Sequence, residues 1–179
     1  MITGQTIWYL VIALTLLAAW TDAHTRKIPN WLTVSGVLAG IMVNFYFRGW
    51  AGALASLEGA GLALAVLLPL VLLRGLGAGD WKLMGAVGSF VGPVLLIFIL
   101  AGSVLLSGLM AIVEMMRTRR VVETLKNVVT LLRGFLSFGL RANPQISLDN
   151  PGLMKLPFGV AVAAATVFCY CAARWGLRF

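Results

Sequence analysis

Three observations predict an all-α, polytopic membrane domain. Of the 179 residues, 60% are hydrophobic and only 11% are charged, and the mean hydropathy is +0.96, a composition that places a chain outside the soluble globular class. The apolar residues are gathered into runs at 5–21, 31–47, 54–73, 82–91, 94–113 and 156–173. The basic residues fall mainly between alternate runs, as they do when consecutive helices cross a bilayer in opposite directions.

A spanning helix needs about 20 apolar residues, with a range of roughly 17–25. Five of the runs fit or nearly fit, and about six spans are expected, with five as the alternative count. Run 5–21 has no small-residue cleavage pattern before the charged stretch that follows, so it reads as a retained span and not a removed signal. After it comes a short polar connection ending in Ile28-Pro29-Asn30, an extended turn with Asn30 placed to cap the second span. Run 82–91 is short, so it must begin deep or lie shielded among other helices. Gly92-Pro93 divides it from run 94–113 as a turn would. Within 117–148, Val121, Val122, Leu125, Val128, Val129 and Leu132 recur at helical spacing with Glu123, Lys126 and Arg133 between them. That pattern predicts a cytoplasmic amphipathic connector lying on the lipid surface. Asn143-Pro144 and the turn at 149–152 end it before the last span. No repeat or low-complexity linker divides the chain, so residues 1–179 are expected to form one membrane-embedded domain.

The net charge of +8 invites a nucleic-acid reading, but its distribution argues for a membrane instead. With the N-terminus outside, Arg26, Lys27, Arg74, Lys82, Arg117, Arg119, Arg120, Lys126, Arg133, Arg141 and Lys155 all fall on the cytoplasmic side, against Arg48, Arg174 and Arg178 outside. This positive-inside bias sets the orientation. Cys169 and Cys171 lie within the last apolar run, without accompanying His or further Cys, and do not read as a zinc site. No metal or other cofactor is expected.

Only six acidic residues occur, and two of them, Asp22 and Asp80, stand at the ends of long apolar runs on the predicted cytoplasmic side. Carboxylates near hydrocarbon are costly and by default mark function. Asp80 follows Gly77-Ala78-Gly79, where glycine tolerates positive φ, so that a backbone with little side chain can unwind and approach a substrate closely, and it is placed to cap the next helix. Each aspartate alone also fits an interfacial or capping role. Together they form a set able to hydrolyse an amide without a metal or a nucleophile. One carboxylate activates water and a protonated partner polarises the carbonyl, because two like charges at short range cannot both ionise freely. The sequence carries no Ser/His/Asp arrangement, His-rich site or nucleotide-binding Gly loop. His24, the single histidine, reads as a solvated loop residue. Glu58 and Glu114 read as interfacial groups.

Asp22 followed by Ile28-Pro29-Asn30, then Gly77-Ala78-Gly79-Asp80-Trp81-Lys82-Leu83, resembles the aspartic prepilin peptidases of bacteria. Lys155-Leu156-Pro157-Phe158-Gly159-Val160-Ala161 is similar to that family's Pro-aromatic-Gly stretch before its last span. The Gly-x-Gly-Asp element also resembles presenilin-type and signal-peptide-peptidase proteases, but the Asp22 loop does not. The resemblance to prepilin peptidases implies six spans, catalytic aspartates at Asp22 and Asp80, and substrate contacts at Gly77, Gly79, Lys82, Pro157 and Gly159. It further implies removal of a short basic leader from prepilin or pseudopilin precursors, commonly after a glycine, on the cytoplasmic face of the bacterial inner membrane. Precursor, membrane lipids and pilus or secretion assembly components are the implied partners, with no nucleic acid. Bifunctional relatives carry a cysteine-rich loop and methylate the new N-terminus; here the connection between the first two runs is short and has no cysteine. The chain therefore resembles the short subclass serving tight-adherence (Flp) pili, without methyltransferase activity. The alternatives are a small transporter or channel using the two acids as an ion path, and a structural subunit of a secretion machine that has lost catalysis. The first would prefer acids in mid-span, and the second would tolerate Asp80→Asn.

Overall fold

The computed structural model describes residues 2–118, 129 and 157–176. The expected amphipathic connector at 117–148 therefore lies outside the described residues, apart from 117, 118 and 129. Four helices follow one another: α1 (Ile2–Thr25), α2 (Asn30–Leu72), α3 (Ala78–Thr118) and α4 (Phe158–Arg174). The first three are long and apolar enough to cross a membrane, and α4 is a shorter apolar helix. Among the described residues there is no strand.

The helix count differs from the number of apolar runs because α2 and α3 each contain two runs joined through one break. A straight helix of 43 residues would be about 65 Å long at 1.5 Å per residue, twice the hydrocarbon thickness. In α2 the break is Gly49, with φ 62° and ψ −148°, a conformation that requires glycine. Beyond it the chain doubles back: a Cβ on Gly52 would overlap the carbonyl of Asn44, and Ser56 Oγ lies 3.5 Å from the carbonyl oxygen of Gly40. Sixteen residues of straight helix would separate those last two groups by about 24 Å. Neither proline nor a run of turn residues marks this hairpin in the sequence. In α3 the break is the expected one, Gly92 with φ 77°, followed by Pro93.

The α3 break has its own solution for the hydrogen bonds it disrupts. Pro93 has no N–H to offer Ser89, and the turn at Gly92 takes Phe90 out of the helical ladder. Buried Asn44 fills the gap: its Nδ2 donates to the carbonyls of Ser89 and Phe90, each at 3.0 Å, and to Gly40 at 3.1 Å. An amide has two N–H groups, so these three acceptors share them.

Segment 78–91 is the centre of the fold, with Leu83, Met84, Ala86 and Val87 all fully buried. On one side it runs alongside the first half of α2, with Ala86 facing Gly36 and Ser89 facing Gly40. On the other it runs antiparallel to the second half of α2. There Gly88 meets Gly59 backbone to backbone, Gly85 meets Leu64, and Trp81 Nε1 donates to the Leu64 carbonyl at 2.8 Å. A Cβ on either Gly59 or Gly88 would overlap the other's carbonyl, so small residues let the two backbones touch, as membrane helices do. Helix α4 packs against the second half of α3, where Gly102 meets Ala165, and lies antiparallel to α1, with Gly159 beside Asp22 and Tyr170 beside Trp8 and Tyr9. The outer surface carries large apolar side chains open to their surroundings, among them Leu105 at 75% and Tyr46 at 82% exposure. So much exposed apolar area fits lipid and not water.

Candidate active site

The ends of α1, α2, α3 and α4 converge around Asp22. Helix α1 stops one turn later, at Arg26, a left-handed residue with φ 53° whose N–H returns to the Asp22 carbonyl at 2.9 Å. The chain then passes through buried Ile28 and enters α2 from Pro29, whose φ of −64° and ψ of 139° make it the N-terminal cap without a side-chain hydrogen bond. Asn30 was expected to cap this helix. It is instead the first helical residue, and its side chain turns to α3.

Asp22 is buried, with only 7% of its surface exposed. Its Oδ2 accepts a hydrogen bond from the backbone N–H of Gly159 at 2.8 Å. Gly159 lies in the first turn of α4, just after the cap at Pro157, so its N–H has no acceptor within its own helix. Asp22 satisfies that donor, and the charge of Arg26 acts on the same carboxylate.

Asp80 sits in the first turn of α3 and is half-buried. It is the third helical residue and not the cap itself, and its carboxylate lies back against the Gly77 backbone. This is the position of the acid in a capping box, at the third helical residue and turned toward the cap. A Cβ on Gly77 would stand 2.9 Å from Asp80 Oδ2, so glycine leaves room for that carboxylate. Among the described residues the left-handed glycines are Gly49, Gly92 and Gly176. Gly77 and Gly79 are not among them, and the expectation that they supply unusual backbone angles gives way to one of space. At Gly79 a Cβ would lie 3.2 Å from the Cβ of Ile28, which lets the start of α3 lie directly on the connection between α1 and α2. Lys82, one turn further, donates from Nζ to Asn30 Oδ1 at 2.9 Å.

The two aspartates, from separate helices, thus share one end of the bundle, and the charge of Asp22 bears directly on Asp80. Gly77, Gly79 and Lys82 adjoin Asp80. Pro157 and Gly159 adjoin Asp22 from α4. Within this group, Gly79 and Gly159 face the protein's own atoms, Ile28 and Asp22. Asn30 and Ile28 were absent from the expected site although both lie in the Ile-Pro-Asn turn. Among the described residues no three of His, Cys, Asp and Glu gather as metal ligands. Chemically, two interacting carboxyl groups beside a solvent-accessible helix start can hold one proton between them and work as acid and base.

No curated protein and no solved structure matches the chain. A family model does, across residues 9–112, a span that takes in Asp22, the 26–30 connection, both helix breaks and Asp80. Since that match covers more than half of the chain, the protein belongs to the type IV leader peptidase family.

Proposed function

We propose that this protein is an aspartic endopeptidase of the bacterial inner membrane that removes the basic leader from prepilin-like precursors at the cytoplasmic face. The observation that carries the reading is the placing of Asp22 and Asp80, on α1 and α3, at one end of an apolar helical bundle, with the Asp22 carboxylate held by the Gly159 amide and its charge bearing on Asp80. Family membership supplies the leader-peptide substrate class.

In the working mechanism one aspartate is ionised and takes a proton from water. The hydroxyl formed attacks the scissile carbonyl carbon, while the protonated partner gives its proton to the carbonyl oxygen. The tetrahedral intermediate collapses as the first aspartate returns its proton to the leaving amine, and the partner recovers the one it gave. The scissile strand must be locally extended, because a regular helix ties up its amides. The α3 start at Gly77 borders the dyad and offers little bulk against such a strand.

We read α1, the two halves of α2, the two halves of α3, and α4 as the six spans of the bundle. Arg26, Lys27, Arg74 and Lys82 accompany the aspartates at their end, while Arg48 adjoins the α2 break and Arg174 ends α4. By the positive-inside rule the dyad end faces the cytoplasm. The short, cysteine-free connection between α1 and α2 supports the tight-adherence pilus subclass. Co-expression with a prepilin, followed by separation of precursor from mature pilin, tests the reading. Cleavage that needs both aspartates supports it, and an unprocessed precursor with well-inserted enzyme opposes it.

A further inference from the structure

Asp80 is bracketed by two contacts that tie the first turn of α3 to the connection following Asp22. On its N-terminal side Gly79 lies close against Ile28, where a Cβ would stand 3.2 Å from the Ile28 Cβ. On its C-terminal side Lys82 Nζ donates to Asn30 Oδ1 at 2.9 Å. Residues 79 and 82 are three apart, hence on one face of a helix, and Asp80 projects about 100° round from Gly79. The two contacts therefore fix the rotation of this turn about its axis, and that rotation determines where the Asp80 carboxyl points relative to Asp22. Ile28 and Asn30 are themselves only a few residues beyond Asp22. The frame that orients one aspartate is thus built from the segment that carries the other.

We infer that Asn30 and Lys82 act as a pair of positioning residues, a latch that holds Asp80 in register with Asp22; the inference rests on the dyad reading above. The chemistry of the pair fits this use. A lysine ammonium has donors only, so the amide oxygen and not the amide nitrogen must face it. Asn30 needs no capping role, because Pro29 begins α2 without one. The bond is intramolecular, and an ammonium engaged in this way is turned toward Asn30 and away from a substrate group.

Steady-state cleavage of a purified precursor by Asn30→Ala, Lys82→Met and the double variant tests the latch, with thermal unfolding in detergent recorded for each. Each single variant is expected to lower kcat by about ten- to a hundredfold, the loss that follows a displacement on the order of 1 Å in a catalytic group. KM and the unfolding midpoint should stay near those of the parent. The double variant should lose no more than the worse single one, since both remove the same interaction. Asn30→Asp, which keeps an acceptor for the ammonium, should recover most of the turnover. A raised KM in Lys82→Met alone, losses that multiply in the double variant, or losses that track a falling unfolding midpoint would each overturn the proposal. Failure of the dyad itself gives a different result, normal cleavage by Asp80→Asn, and removes the latch with it.

Discussion

Asp22 Oδ2 and the backbone N–H of Gly159, 137 residues apart in sequence, are joined by a buried 2.8 Å hydrogen bond. A carboxylate taken out of water must find donors, and the exposed N–H groups at a helix start are a ready supply. The same glycine leaves space for the acid, because a Cβ there would stand 3.1 Å from Oδ2 and 3.2 Å from the Asp22 Cβ. Helix α4, beyond the residues covered by the family match, is in this way part of the candidate site.

Gly159→Val is accordingly expected to push Asp22 out of place. Cleavage should fall by about a hundredfold or more, with the protein still inserted in the membrane. A time course of precursor conversion, normalised to enzyme recovered in the membrane fraction, measures it.

Gly79→Val should also impair cleavage with both aspartates intact, because the new side chain meets Ile28 and lifts α3 off the connection after Asp22. Gly61→Val provides the contrast, since nothing lies within 4 Å of the Cβ position there. The Gly61 variant should cleave at close to the parent rate in the same assay. Equal activity of the two variants would mean that Gly79 has no tight neighbour.

Asn44→Leu addresses stability more than chemistry. It withdraws the donor shared by the carbonyls of Ser89, Phe90 and Gly40, leaving buried acceptors unmatched at a cost of about 1–3 kcal/mol. Thermal unfolding in detergent should show a lowered midpoint. The asparagine is at the opposite end of segment 78–91 from Asp80, so KM for the precursor should be little changed.

Pilin processed by this protein alone should carry an unmethylated N-terminus. The connection from Thr25 to Asn30 has neither a cysteine nor space for an added domain. Mass spectrometry of the mature pilin is the check, and a methylated product would contradict the expectation.

Much of this architecture could be read from local features. The apolar runs mark the helices, Gly92-Pro93 marks the α3 break, and two aspartates at run ends mark the candidate site because ionisable groups are so scarce in this chain. Other features depended on long-range packing that no local pattern encodes. Gly49 is one glycine among 20, and only the hairpin it permits singles it out. Asn44 became legible once the α3 break stood opposite it, and Asn30 once Lys82 did. Gly159 could be noted as part of a Pro-aromatic-Gly stretch, but its amide has meaning only against Asp22. Gly77 and Gly79 were expected to provide backbone freedom; they provide clearance, for Asp80 itself and for Ile28, because this part of the chain is already the start of a helix.

The requirement for two carboxyls is the central claim, and precursor cleavage by Asp22→Asn and by Asp80→Asn tests it most directly. Asparagine preserves size and much of the hydrogen bonding while removing the capacity to hold and return a proton. Immunoblots of precursor against mature pilin, from membranes with matched amounts of enzyme, should show no processing by either variant. Full conversion of the precursor by either one would contradict the account and take that aspartate out of the active site.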